Sequence, residues 1–287
     1  MQITGRTRLA GIMGWPVAHS RSPALHNFWL VEHDIDGVYV PLAVRPEHLA
    51  QALRALPALG FRGCNLTIPH KKAALSVVDR IDPVARRIGA INTIVVAADG
   101  SLEGCNTDAY GFRENLRDSA PEWRPAAGPA VVLGAGGAAR AVVAALAEAG
   151  VREIRLVNRT RERAAVLACD LGSAALAVTV WPWEARNDAL DKAGLMVNTT
   201  SLGMTGEPDL AIDLSLLPRS SVVVDIVYVP LETKLLAAAR RRGHVVIDGL
   251  GMLLHQARPG FAAWFGAPVE ATPALRQAVL ATMAGTQ

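Results

Sequence analysis

Ala130-Val131-Val132-Leu133-Gly134-Ala135-Gly136-Gly137-Ala138-Ala139-Arg140 stands near the middle of a chain of 287 residues. Its apolar opening reads as a buried strand that empties into a glycine loop. The alanine, valine and leucine run from Ala138 to Ala149 reads as a helix suited to close packing on a sheet. Gly150 stops it, as a glycine just past a helix C-terminus does. A second strand, Glu153-Ile154-Arg155-Leu156-Val157, completes a β-α-β unit. Glycines in such a loop let the backbone turn tightly and approach a diphosphate, whose charge faces the N–H groups of the helix start. Alanine-glycine runs also occur where a helix merely packs tightly on a strand, so the flanking strands carry the reading. Nearly half the chain precedes the loop, which leaves room for a first domain that holds a second molecule.

The end of the second strand discriminates between dinucleotides. A site for NAD usually has Asp or Glu there, accepting hydrogen bonds from the ribose hydroxyls. This chain has Asn158-Arg159-Thr160-Arg161-Glu162-Arg163, with arginines and no carboxylate at the strand end itself. Arginine pairs with a 2′-phosphate, and Asn and Thr add further donors. Thr160 also fits as a helix cap, a role that can coexist with a phosphate site. NADP is therefore preferred over NAD.

Composition narrows the class. Apolar residues make up 51% and charged residues 19%, as in a globular chain long enough for two domains. The net charge is +3, with basic residues spread along the sequence. The densest run, Arg240-Arg241-Arg242, ends a predicted helix, where cations suit the dipole. No basic stripe interleaves with aromatics, so nucleic acid is not an expected partner. Cys64, Cys105 and Cys169 form no CxxC pattern and read as small core residues in a reduced compartment. No cationic leader or membrane-spanning apolar run is evident. The expectation is a cytoplasmic protein with a small-molecule substrate, no membrane partner and no metal; a homodimer is admitted.

Alternating patterns organise the first part. Strands are predicted at Leu9–Gly14, Val38–Val40 and Phe61–Leu66, with helices from Ser22 (as cap, with Pro23 in the first turn) to about His33, from Pro46 to Leu56, and after Pro69. Ile91–Ala97 and Ser101–Cys105 read as a hairpin around Asp99-Gly100. A helix runs from Asp108 to about Ser119, and the Pro/Ala-rich segment 120–129 reads as the domain boundary. Further short apolar runs at 175–180, 195–198, 222–226 and 244–247 extend a parallel sheet, and the patterns after Gly249 are helical. The fold class is thus α/β in two domains. An N-terminal α/β substrate domain (1–119), completed by C-terminal helices (250–287), accompanies a Rossmann-type NADP-binding domain (120–249).

Four polar clusters fall at strand ends or helix starts in the first domain: His19 to Pro23, Asn65 to Lys72, Gly89 to Thr93 and Gly104 to Asp108. Ser20 and Ser22 can both donate to one carboxylate at a helix N-terminus, or Ser22 can simply cap the helix. Lysine is scarce, four against 25 arginines, and unlike arginine it can give up a proton, so Lys71 is a candidate acid or base. Lys72 beside it has no evident role. Asp108 can be an N-cap alone, yet together the clusters supply a lysine, a carboxylate, amides and paired hydroxyls for one polyhydroxylated acid.

Ser20-Arg21-Ser22-Pro23-Ala24-Leu25-His26-Asn27, Asn65-Leu66-Thr67-Ile68-Pro69-His70-Lys71, Gly89 to Thr93 and Asn106-Thr107-Asp108 resemble the substrate-domain signatures of shikimate dehydrogenases. Gly134 to Arg140 and Asn158-Arg159-Thr160 are similar to their NADP signatures. Asp225 to Pro230 with Thr233 and Leu235, and Gly249 to Ala257, resemble two more. The likeness runs from about Gly11 past Gln256 in the family's order, with no signature residue lost.

The resemblance implies reversible reduction of 3-dehydroshikimate by NADPH, in aromatic amino-acid biosynthesis. It implies that Lys71 and Asp108 form the catalytic pair, that Ser20 and Ser22 hold the carboxylate, and that Asn65, Thr67, Asn92, Tyr228 and Gln256 contact the substrate. Gly134, Ala135, Gly136, Gly137, Ala138, Asn158, Arg159, Thr160, Arg163, Ile226 and Gly249 would line the NADP site, with Met252 near the nicotinamide. Ile226 and Met252 also fit as ordinary core. A quinate or dual quinate/shikimate dehydrogenase is the nearest alternative, and a catalytically silent NADP-binding regulator a more distant one.

Overall fold

β1 (Arg8–Gly14), α1 (Ser22–Glu32), β2 (Gly37–Ala43), α2 (Leu49–Ala55), β3 (Phe61–Leu66), α3 (His70–Ala73), β4 (Arg80–Ile81), α4 (Pro83–Ile88), β5 (Thr93–Val96) and β6 (Leu102–Cys105) follow one another in a computed structural model that describes residues 3–284. They form one six-stranded sheet of order β2-β1-β3-β5-β6-β4. β1 runs parallel to β2 and β3, while β5 is antiparallel to both β3 and β6. The reversal is the predicted hairpin. Gly100, at φ +80°, takes the turn conformation that an L side chain rarely adopts. Asp99 Oδ1 accepts from the Ser101 N–H at 2.9 Å and closes the turn. Met13, Leu53, Leu66, Ile91, Ile94 and Leu102 are buried in a core on this sheet.

α5 (Asp108–Ser119), β7 (Ala130–Leu133), α6 (Gly137–Glu148), β8 (Glu153–Asn158), α7 (Arg161–Leu171), β9 (Ala177–Pro182), β10 (Leu195–Asn198), β11 (Val222–Asp225), α8 (Lys234–Arg241), β12 (Val245–Ile247) and the start of α9 (Gly249–Phe265) build the second part. Its sheet is wholly parallel, in the order β12-β11-β10-β7-β8-β9. From β7 the chain winds one way through β8 and β9, then returns to β10 on the other side of β7 and continues to β12. That order is the doubly wound dinucleotide fold. The junction of β7 and β10 is its switch point, where ligands meet the carboxyl ends of the strands. All four residues of each of β7, β10 and β11 are buried; β7 is wholly apolar, while β10 and β11 are apolar up to their last residues, Asn198 and Asp225.

The chain separates into two compact units, Met1–Thr107 with Leu254–Gln287, and Asp108–Leu253. The division falls at Thr107/Asp108, not at 119/120, because α5 packs on α6 and so groups with the second sheet. α9 starts in the second unit, and its later turns and α10 (Pro273–Ala284) belong to the first. There α10 packs on α1, and the Arg21 guanidinium donates to the Thr282 carbonyl at 2.8 Å. Trp264 Nε1 donates to the Ile94 carbonyl at 2.9 Å. His26 stacks on Tyr39 with ring centroids 4.1 Å apart, and burial lowers its pKa to about 3, so it sits in the core as a neutral ring.

Several local expectations are corrected. Ser22 is the first residue of α1 and not its cap; Arg21 takes the cap position, and the Ser22 N–H donates to Ser20 Oγ at 3.3 Å. The segment from Pro46 opens as a 3-10 turn before α2 begins at Leu49. Only Cys64 is a fully buried cysteine; Cys105 is half-buried and Cys169 is exposed on α7, while all three are free thiols. No helix of the described residues is long and apolar enough to cross a membrane, and no group of three or more metal-capable side chains occurs among them.

Candidate functional site

In the first unit the sequence clusters converge on one buried polar network. Near the end of β3, Asn65 Nδ2 donates to the Asn92 carbonyl at 3.1 Å and to Thr93 Oγ1 at 3.0 Å. Its Oδ1 accepts from the Tyr39 hydroxyl at 2.7 Å. Burial pushes that tyrosine's pKa well up, so it remains a donor. Asn92 lies just before β5. Its Oδ1 accepts from the Thr107 N–H at 2.9 Å, and its Nδ2 donates to Thr107 Oγ1 at 3.0 Å and to Gln256 Oε1 at 3.4 Å. Ser22, Asn65, Asn92, Thr107 and Gln256 are all buried. So many amides and hydroxyls in one buried place are costly unless each has partners, and here each has.

Lys71 stands on α3, half-buried, while Lys72 is exposed. The Lys71 carbonyl accepts from the Ile91 N–H at 2.8 Å, which ties the lysine's backbone to the segment carrying Asn92. Thr67 lies just past β3, its N–H donating to the Met13 carbonyl at 3.0 Å. Gly14 is needed opposite it, because a Cβ there would lie 2.4 Å from the Thr67 methyl. Ser20 is half-buried just ahead of α1.

In the second unit the glycine loop lies at the carboxyl end of β7. Gly134 has φ +108°, and a Cβ on it would meet Thr199 Oγ1 at 2.6 Å. A Cβ on Gly136 or Gly137 would instead enter open space. α6 has no side-chain cap, so its first N–H groups are left to an external acceptor. An open cradle before an uncapped helix start fits a diphosphate. Asn158 Nδ2 donates to the Thr160 carbonyl at 2.7 Å and shapes the loop after β8. Arg159, Thr160 and Arg163 are exposed there, so their donors are presented outward. Arg140 pairs with Asp170 at 2.9 Å and ties α6 to α7.

At the carboxyl ends of β10 and β11, Asn198 Nδ2 donates to Asp225 Oδ1 at 3.0 Å, and Thr233 Oγ1 donates to Asp225 Oδ2 at 2.7 Å. Asp225 also accepts from the Val227 N–H at 3.1 Å, fixing the loop that bears Ile226 and Tyr228. Burial pushes the Asp225 carboxyl up to about 6, against the opposing pull of these donors. Gly249 packs on this loop, where a Cβ would lie 2.0 Å from the Ile226 carbonyl oxygen. Met252 is half-buried on α9, and Asp108 is half-buried at the first position of α5.

A family model described as shikimate dehydrogenase substrate binding domain matches residues 12–94, and one described as shikimate / quinate 5-dehydrogenase matches residues 124–204. The shikimate dehydrogenase (NADP(+)) of Paramagnetospirillum magneticum is 62% identical over 278 residues, covering 97% of this chain and 100% of the relative. The chain belongs to the shikimate dehydrogenase family. Shikimate 5-dehydrogenase from Thermus thermophilus, solved with NADP(H) and shikimate, is 39% identical, covers 96% of this chain and 99% of its own, and has a TM-score of 0.84. Quinate dehydrogenase from Corynebacterium glutamicum, solved with NAD, is 33% identical over 96% of this chain and 99% of its own, with a TM-score of 0.89.

Within this member of the family, the first unit gathers Asn65, Asn92 and Gln256 into one network, and the second gathers the glycine loop, Ile226 and Gly249 at one end of its sheet. Tyr39 and the Asn198-Thr199-Thr200 run were missed in the sequence. The run had a signal: a polar triplet ending an apolar strand, of the same kind as Asn158-Arg159-Thr160. Tyr39 had none, since it reads as one more aromatic in a strand.

Proposed function

We propose that the chain is an NADP-dependent shikimate dehydrogenase that reversibly reduces 3-dehydroshikimate to shikimate. The observation that carries the reading is the arginine-bearing, carboxylate-free end of β8 beside an open glycine cradle, in a chain of this family that keeps Lys71 and Asp108. When bound, NADPH supplies the hydride that reduces the ketone.

The chain's own residues bind, orient and protonate. Ser20 and Ser22 donate to the substrate carboxylate. Reduction builds negative charge on the ketone oxygen, and the Lys71 ammonium stabilises that charge and gives its Nζ proton to the new hydroxyl. In the oxidative direction the Lys71 amine takes the proton back. Asp108 accepts from a ring hydroxyl and orients it. Asn65, Thr67, Asn92, Tyr228 and Gln256 match the remaining polar groups, so an analogue lacking a hydroxyl leaves a buried partner unpaired and is rejected. Gly134 to Ala138 offer backbone donors to the diphosphate. Asn158, Arg159, Thr160 and Arg163 hold the 2′-phosphate, and Ile226, Gly249 and Met252 form the apolar wall for the nicotinamide. The first unit serves as the substrate domain and the second as the NADP domain. The enzyme works in the cytoplasm, and a homodimer is the assembly to check by sedimentation.

The likeness to an NAD-linked quinate dehydrogenase supports the alternative of quinate turnover. Quinate carries an extra hydroxyl at the carbon bearing the carboxylate, which the Ser20/Ser22 neighbourhood would have to admit. Turnover of shikimate and quinate, each with NADP and NAD, separates the readings. The expected outcome is highest kcat/KM for shikimate with NADP; a preference for quinate with NAD would replace this reading, and no turnover at all would favour a silent regulator.

A further inference from the structure

The two ends of a side-chain amide have almost the same shape, so only hydrogen bonds decide which end faces which way. At Asn92 a backbone group decides it. The Thr107 N–H can only donate, so the Asn92 atom 2.9 Å from it must be Oδ1. With Oδ1 so placed, Asn92 Nδ2 faces Thr107 Oγ1 at 3.0 Å and Gln256 at 3.4 Å, and the same hydroxyl lies 3.2 Å from Asn92 Oδ1. Nδ2 can only donate, so Gln256 must present Oε1 to it. Thr107 Oγ1 donates to the same Oε1 at 3.4 Å, so the hydroxyl joins both amides in that arrangement. Thr107 is only 5% exposed, so water does not readily replace its hydroxyl. The next residue in the chain is Asp108, which opens α5.

We propose that Thr107 is the positioning residue of the site: its N–H and hydroxyl set which ends of the Asn92 and Gln256 amides face the substrate, and they anchor the chain where Asp108 begins its helix. This rests on the shikimate dehydrogenase reading, in which Asn92 and Gln256 bind the substrate. Thr107 acts through them and does not itself react.

Two substitutions separate this role from simple packing. Thr107→Val keeps the shape and removes the hydroxyl; Thr107→Ser keeps the hydroxyl and removes the methyl. Losing a buried partner of this kind should raise the KM for shikimate about ten-fold in Thr107→Val, with the KM for NADP unchanged. Thr107→Ser should stay within about two-fold of the wild type, since its hydrogen bonds are kept. A residue needed only for packing gives the reverse ranking, with Val better than Ser, and that result overturns the proposal. So does a Thr107→Val enzyme with unchanged KM for shikimate, or a parallel rise for NADP. If Thr107→Val does not fold, Thr107→Ala takes its place, and Ser must still outrank it. A wild-type enzyme that fails to turn over shikimate overturns the functional reading itself; an active wild type indifferent to Thr107→Val overturns only this inference.

Discussion

The Asn198 amide donates to the Asp225 carboxylate across 3.0 Å, joining the carboxyl ends of β10 and β11. Thr233 and the Val227 N–H complete the set around that carboxylate, which therefore holds the Ile226–Tyr228 loop against the sheet. Burial raises the Asp225 pKa from 3.8 to about 6. Between those values the native protein keeps a proton that the unfolded chain has already released. Native protein then binds more protons than unfolded, so this group's contribution to stability falls as pH rises through the window. The shift spans about two pH units at about 1.4 kcal/mol each, or up to about 3 kcal/mol. Asp225→Asn cannot titrate. Urea unfolding of both proteins at about pH 4 and about pH 7 should show the wild type losing stability relative to the variant at the higher pH. An unchanged difference would contradict the assignment.

Gly136 and Gly249 should respond oppositely to alanine. A Cβ on Gly136 meets nothing within 4 Å, and its backbone is extended, so the fold should lose no more than about 0.5 kcal/mol. The added methyl would nevertheless fill the cradle before α6, and NADP affinity should drop. At Gly249 a Cβ would sit 2.0 Å from a backbone oxygen, and the forced shift should cost about 1–3 kcal/mol of stability. Thermal melts with NADP titrations check both. Equal melting losses in the two variants would show that the cradle is not open.

Arg159 is exposed beyond β8 and is proposed to hold the 2′-phosphate. Arg159→Gln removes a charge-assisted bond worth about 1.5–3 kcal/mol, so NADP affinity should fall by roughly ten- to a hundred-fold while NAD changes little. Titrations of both dinucleotides give the answer. Equal losses would move the phosphate site elsewhere.

Much of this was legible in the sequence because it is local. β3, β10 and α5 have the bounds that their apolar runs and flanking polar residues predict. The glycine loop is recognised for the same reason, since strand, turn and helix follow one another without interruption. What depends on distant partners was not legible. The Tyr39–Asn65 bond joins residues 26 apart, and its aromatic partner looks like any core residue. Nothing local shows that α5 packs on α6, and so the proline-rich segment after α5 reads as the boundary, although the division lies before α5. The cap of α1 is misplaced by one position because Ser20 and Ser22 both suit a helix start, and only the Ser22 N–H to Ser20 Oγ bond distinguishes them.

In the proposed reaction Lys71 bears the proton transfer. Steady-state kinetics of Lys71→Met with shikimate and NADP test it most directly. The kcat should fall by about a hundred-fold or more, the size of a lost acid–base group, with only a minor change in KM. A variant that turns over at nearly the wild-type kcat would contradict the role given to this lysine.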